Sequence, residues 1–237
     1  MRYRFLRFPQ GKTKAVTLSY DDGWRTDLKL AEIISSYGIK GTFNISSSYL
    51  KDSERFLTPD DIRGHILEKG HEVAIHGEQH VALGCIRALD GIQEVLNCRR
   101  ELEKMFGKII RGMAYADCSI TYLHNGVSYE EVRRYLQALD IAYARTVGED
   151  NAGFELQTDL LNFKPTIYQC ERDKMFELAY EFLELKPDCP KLFYIWGHAY
   201  EFDKECYGIS WEQMEEFCKL ISGKDDIFYG TNREVLL

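Results

Sequence analysis

Hydrophobic positions along the chain follow two alternating patterns. Short apolar runs rich in β-branched and aromatic residues recur at 15–19, 41–45, 72–75, 109–115, 141–144 and 191–196, the length and composition expected of buried strands. The stretches between them keep a helical period instead. Leu28, Ile33 and Ile34 mark one helix, which Gly38 is placed to stop. Thr58 and Pro59 form a helix start, with Thr58 as N-cap and Pro59 at the first helical position. A third helix is expected over 86–105, and Ser128 with Glu131 forms a capping box that opens a fourth. Residues 174–185 and 211–221 complete the set.

Strand–helix–strand alternation predicts parallel strands with helices outside. At 237 residues the candidates are a (β/α) barrel of eight or fewer strands and an open doubly wound sheet. With five prolines and no low-complexity stretch, nothing marks a linker, and residues 1–237 read as a single domain. Both architectures gather chemistry at the C-terminal ends of the strands.

The first run ends in "LSYDDG", with Asp21 beside Asp22; the third ends in "HGEQH", with His76 and His80; the fourth ends in "RGMAY", with Arg111 and Tyr115; the late run ends in "YIWGH", with His198. Four strand ends therefore carry groups of the kinds used in catalysis. Imidazoles four residues apart can reach one cation, and two His plus one Asp leave a position open for water. An HExxH protease motif needs Glu directly after the first His, whereas Gly77 follows here. Adjacent carboxylates repel and lose hydration when buried. A divalent cation relieves this by binding one of them, and alternation along a strand sends the other to a different side, toward water or substrate. The plainer alternatives are capping histidines and an ordinary Asp-Asp-Gly turn.

Composition narrows the partners. A formal net charge of -8 without a Lys/Arg cluster argues against nucleic acid. Seven scattered cysteines without a CxxC pair suit reduced thiols. The opening "MRYRFLRFPQGKTKAV" has no signal-peptide core, and no apolar run is long enough for a membrane span. The expectation is a cytoplasmic protein.

Taken together and in order, these motifs resemble those of the polysaccharide deacetylase family, carbohydrate esterase family 4, over about residues 15–200. The resemblance implies a distorted (β/α) barrel of about seven β/α units and a divalent metal ion, most often Zn2+. It implies Asp21 as general base and Asp22, His76 and His80 as metal ligands. It also implies Arg111 orienting the base, the region of Tyr115 helping the oxyanion, and His198 as general acid. The reaction implied is removal of acetyl groups from an N-acetylated carbohydrate. Without a leader, a small saccharide or acetylated metabolite is the expected substrate. An O-acetyl esterase, an amidohydrolase on a small non-sugar substrate, and a non-catalytic carbohydrate-binding member of the fold are the alternatives.

The sequence also departs from the family pattern. Gly77 stands in place of Ser or Thr, and Ala114 in place of Pro. The family's Asp-Trp motif has no clear counterpart, although "YARTVGEDN" occupies its place and offers Glu149 or Asp150 as partner for Arg111. Glu201 and Asp203 follow His198 as extra acids. His198 also reads as a strand-end cap, Arg111 as a salt-bridge residue, and Tyr115 as core. Trp24, Trp196 and Tyr200 read equally as a sugar-stacking surface or as packing at the barrel mouth.

Overall fold

The computed structural model describes residues 6–117, 119–124, 127–147, 153–204 and 207–237. Its centre is a parallel sheet of β1 (Lys14–Asp22), β2 (Gly41–Ile45), β3 (Glu72–Ile75), β4 (Gly112–Ala114), β5 (Tyr143–Arg145), β6 (Ile167–Tyr168), β7 (Lys191–Gly197) and β8 (Ile227–Tyr229). The strand order is β5-β4-β3-β2-β1-β7-β6, with β8 also beside β1. The sheet curls, and the segment before β6 spans its two edges. Phe163 bridges Arg145, and its N–H donates to the Ala144 carbonyl at 3.0 Å, while the Thr166 N–H donates to the Tyr194 carbonyl at 2.7 Å. The result is the distorted (β/α) barrel expected. No helix among the described residues is long and apolar enough to cross a membrane.

Helices α1 (Asp27–Ser36), α2 (Pro59–Asp61), α3 (Ala88–Phe106), α4 (Tyr129–Ala138), α5 (Arg172–Glu184) and α6 (Trp211–Ile221) lie between the strands, and α7 (Asn232–Leu236) follows the last one. Local sequence fixes several of their ends. Thr58, Ser128, Ser210 and Thr231 each close a capping box, at α2, α4, α6 and α7. At the end of α1, Gly38 adopts φ +68 and its N–H reaches the Ser35 carbonyl, the left-handed stop that glycine permits at little cost. Two strands and the last helix lie outside the sequence expectation. β6, β8 and α7 have two, three and five residues, too few for a period to show.

Every residue of β1 is buried. Val16, Leu18 and Tyr20 join Leu30, Ile34, Met214 and Phe217 in the main apolar core. Each such side chain contributes roughly 1.5–3 kcal/mol by leaving water. The alternate residues Thr17, Ser19 and Asp21 occupy the other face, where the neighbours are polar. Asn44 Nδ2 donates to Ser19 Oγ at 2.9 Å and to Asp21 Oδ1 at 2.8 Å. Asn232 of α7 reaches the same group: its Nδ2 donates to Ser19 Oγ at 3.1 Å, its Oδ1 accepts from Thr17 at 2.9 Å, and its N–H donates to Thr42 Oγ1 at 2.8 Å. Thr42 then donates to Glu72 Oε2 at 2.9 Å. A buried polar chain thus links the last helix to the end of β1.

Asn232 is fully buried, so truncating it leaves Thr17 and Ser19 short of a partner. Asn232→Ala is expected to cost ~2 kcal/mol and to lower the melting temperature by roughly 6 °C at this chain length, read by thermal unfolding. A shift under about 1 °C contradicts the assignment.

Candidate metal centre and active site

The C-terminal ends of β1, β3, β5 and β7 meet at one mouth. Asp22 closes β1, His76 directly follows β3, and His80 lies four residues on. One ligand atom from each of the three lies within 4.8 Å of the others. Asp22 Oδ1 is 3.3 Å from His76 Nε2 and 3.1 Å from His80 Nε2. The His76 Nδ1 lies 3.1 Å from the Ala114 carbonyl. That contact assigns the proton to Nδ1 and turns the Nε2 lone pair toward Asp22. The other Asp22 oxygen accepts from the Trp24 indole N–H at 3.1 Å.

Asp22 Oδ1 is buried and has no hydrogen-bond partner among the described residues. An orphan carboxylate oxygen facing two imidazole nitrogens is what a cation among them would explain, and the N,N,O donor set suits a borderline divalent ion such as zinc. The backbone is unusual here as well: Asp22 has φ +77 and His80 φ +60. Left-handed non-glycine residues carry strain and collect at functional sites. The turn at Asp22 also corrects the alternation expected of two strand residues, since it brings Asp22 to the same mouth as Asp21.

Asp21 is held separately. Its Oδ1 accepts from Asn44, and its Oδ2 accepts from the Arg145 guanidinium at the end of β5. Both members of that pair are essentially fully buried. Arg145 also lies over the Trp196 ring, 4.7 Å from its centroid. Asp21 Oδ2 is 4.0 Å from His76 Nε2. The carboxylate therefore stands beside the candidate metal ligands without joining them.

His198 follows β7. Its Nδ1 is 2.9 Å from Glu201 Oε1, and its N–H donates to Glu201 Oε2 at 3.1 Å. Glu201 is buried and also accepts from Gln169 and Tyr168. Burial pulls the imidazole down, but Glu201 and the charges of Asp21 and Asp22 outweigh it and raise His198 above its ordinary value. Asp21, Asp22, His76, His80 and His198 line a single cavity of about 270 Å³, with Tyr200 and Trp196 at its wall.

Two expectations need correction. Arg111 is half-exposed and pairs with Asp140 at 2.7 Å. It precedes β4, at the end of the strand remote from the site, because the strand begins at Gly112. The place beside Asp21 belongs to Arg145. Its sequence signal was a lone arginine closing the apolar run "IAYAR", where a charge at a buried strand end needs a partner. Glu149 and Asp150 lie outside the described residues. Tyr115 lines the cavity, but its N–H donates to the Arg145 carbonyl at 2.9 Å and its hydroxyl to the Leu161 carbonyl at 2.7 Å. Both polar groups are committed to the barrel wall, so neither faces an oxyanion. Trp24 packs between Phe56 and Tyr200, with ring centroids 4.7 and 5.0 Å away.

The two arginines make opposite predictions for stability. Arg145→Ala leaves a buried carboxylate without its counter-charge and is expected to cost ~3–5 kcal/mol. Arg111→Ala opens an exposed pair and is expected to cost under ~1 kcal/mol. Chemical denaturation of both variants checks the contrast, and equal losses contradict it.

A profile of the polysaccharide deacetylase family matches residues 8–141. No curated protein matches the sequence. Among solved structures, a Mycobacterium smegmatis protein assigned as a polysaccharide deacetylase superposes with a TM-score of 0.65 at 14% identity, covering 98% of this chain and 91% of that one. A family 4 carbohydrate esterase from Streptomyces lividans, solved with acetate, gives 0.56 at 12% identity, covering 89% and 88%. A family 4 pseudoenzyme from Bacillus anthracis gives 0.58 at 12% identity, covering 95% and 66%. At these identities the structures speak for the fold alone. The profile match covers more than half of the residues: the chain belongs to the polysaccharide deacetylase family.

Proposed function

We propose that the protein is a divalent-metal-dependent hydrolase that removes acetyl groups from an N-acetylated carbohydrate or small saccharide, with the whole chain forming one catalytic domain. The observation that carries this reading is the division between Asp22 and Asp21. The first converges with His76 and His80 around an orphan oxygen, while the second is fixed apart by Asn44 and Arg145. A divalent ion, when bound, lowers the pKa of a coordinated water and stabilises charge on an acyl oxygen.

The remaining steps fall to side chains. Asp21 takes the proton from the attacking water as general base. Arg145 and Asn44 keep it aimed, so little reorganisation is needed at the moment of reaction. An amine leaves readily only when protonated, and the His198 Nε2 supplies that proton, with Glu201 orienting the ring through Nδ1. At about 270 Å³ the cavity falls just below the roughly 300–1,000 Å³ range for ligand sites, which favours one saccharide unit at the reacting centre.

The pseudoenzyme neighbour shows that this fold also exists without turnover. Here the joint presence of Asp21, Asp22, His76, His80 and His198 in one cavity favours the catalytic reading. An ester substrate is separated by its leaving group: His198→Ala spares alcohol departure more than amine departure.

Titration of metal-free protein with zinc is expected to show one equivalent bound, weakened ~100-fold or more by Asp22→Ala or His76→Ala. Asp21→Asn is expected to keep the metal and lower kcat by roughly 10²–10⁴-fold. A fully active Asp21→Asn variant contradicts the base assignment. Because Glu201 holds His198 above its ordinary value, the cationic acid persists to higher pH in the wild type. Glu201→Gln is therefore expected to move the alkaline limb of the kcat/KM profile to lower pH. An unmoved limb contradicts the pairing.

A further inference from the structure

The loop from His76 to His80 carries two of the three candidate ligands, yet it has Gly77 where a hydroxyl would help to tie it down. A buried carboxylate from α3 takes that place. Glu94 is 6% exposed, and its Oε1 accepts from the Gln79 N–H at 2.7 Å and from the Val81 N–H at 3.3 Å. Those two amides flank His80 on either side. The Glu94 backbone carbonyl accepts from the Glu78 N–H at 3.1 Å, so the same residue grips the loop at a third point.

Glu94 and Gly77 fit each other. A Cβ at position 77 would lie 2.6 Å from Glu94 Oε1 and 3.4 Å from its Cδ, and Gly77 has φ +86. The carboxylate reaches the loop only because residue 77 lacks a side chain and can take a left-handed backbone. His80 itself sits at φ +60, a conformation that persists only where surrounding contacts over-determine it. One oxygen bonding both neighbouring amides supplies such a constraint, and charge-assisted bonds to backbone N–H groups are among the stronger ones.

We infer that Glu94 is a positioning residue for the metal ligand His80, clamping the Gln79 and Val81 amides in the space that Gly77 leaves open. The clamp rests on the metal reading for its function, but its geometry stands without a metal. Ligand-orienting groups of this kind typically change metal affinity by 10–100-fold.

The test compares Glu94→Leu, which keeps volume and loses the acceptor, with Glu94→Gln, which keeps an acceptor oxygen. Two readouts are needed: zinc affinity by chelator competition and amide hydrogen exchange in the metal-free protein. Glu94→Leu is expected to weaken zinc binding by roughly 10–100-fold and to speed exchange at Gln79 and Val81. The Glu78 amide, bonded to the backbone carbonyl of residue 94, is expected to stay protected, which separates loop release from unfolding. Glu94→Gln is expected to retain affinity within about threefold of wild type, against the 10–100-fold loss without an acceptor. Unchanged exchange at Gln79 and Val81 in folded Glu94→Leu overturns the inference. If that variant does not fold, Gly77→Ala displaces the same carboxylate and is expected to reproduce both effects; wild-type affinity and exchange there overturn the inference as well. A wild-type protein that takes up no zinc sinks the metal reading, and the exchange result then decides the clamp alone.

Discussion

Two carboxylates buried side by side at the end of β1 repel each other, and much of the site's structure answers that repulsion. Asp21 is neutralised from one side by Arg145 and held from the other by Asn44. Asp22 is brought to the same mouth by its positive φ, steadied by Trp24 and left with one oxygen facing two imidazoles. Neither solution serves the other residue. A guanidinium on Asp22 would occupy the place a cation needs, and a metal on Asp21 would take up the lone pairs a base uses. Separate partners for adjacent charges would let identical side chains do different chemistry.

The fold makes this separation rigid by carrying polar bonding into the barrel. Asn44 pairs in register with Asp21 across β1 and β2, and the chain of bonds through Ser19 and Asn232 ends on α7. The closing segment of the barrel contributes as well, since Phe163 holds Ala144 and Thr146 on either side of Arg145. The position of the Asp21 carboxylate thus depends on residues from β2, β5 and the C-terminal helix. Two polar atoms of this network, Asn44 Oδ1 and Arg145 Nε, have no hydrogen-bond partner among the described residues, so the bonds named above, and not full satisfaction of every member, hold the geometry.

The sequence made legible those features that chemistry places in short contiguous motifs. The Asp pair, the two spaced histidines and His198 each close or follow an apolar run, so their common location follows from parallel topology alone. The strands that hold them were long enough to show a pattern, whereas β6 and β8 were not. Partners distant in sequence were the hidden part. Arg145 lies 124 residues from Asp21, and nothing local ties them. Arg111 drew the role because it heads the motif containing Tyr115, although the spacing sets it at the strand's beginning. Glu94 and Asn44 read as ordinary helix and strand residues, and Glu201 as an added acid without a partner. In each case the signal is a buried polar side chain, and burial is not written in one residue's neighbours.

The division between the two carboxylates requires one cation among Asp22, His76 and His80, with Asp21 unligated. Anomalous diffraction at the zinc edge, from crystals grown with zinc, tests it most directly. One strong peak is expected within bonding distance of Asp22 Oδ1, His76 Nε2 and His80 Nε2, with the Asp21–Arg145 pair intact. The absence of a peak there, or a peak bonded to Asp21 in place of Asp22, would contradict it.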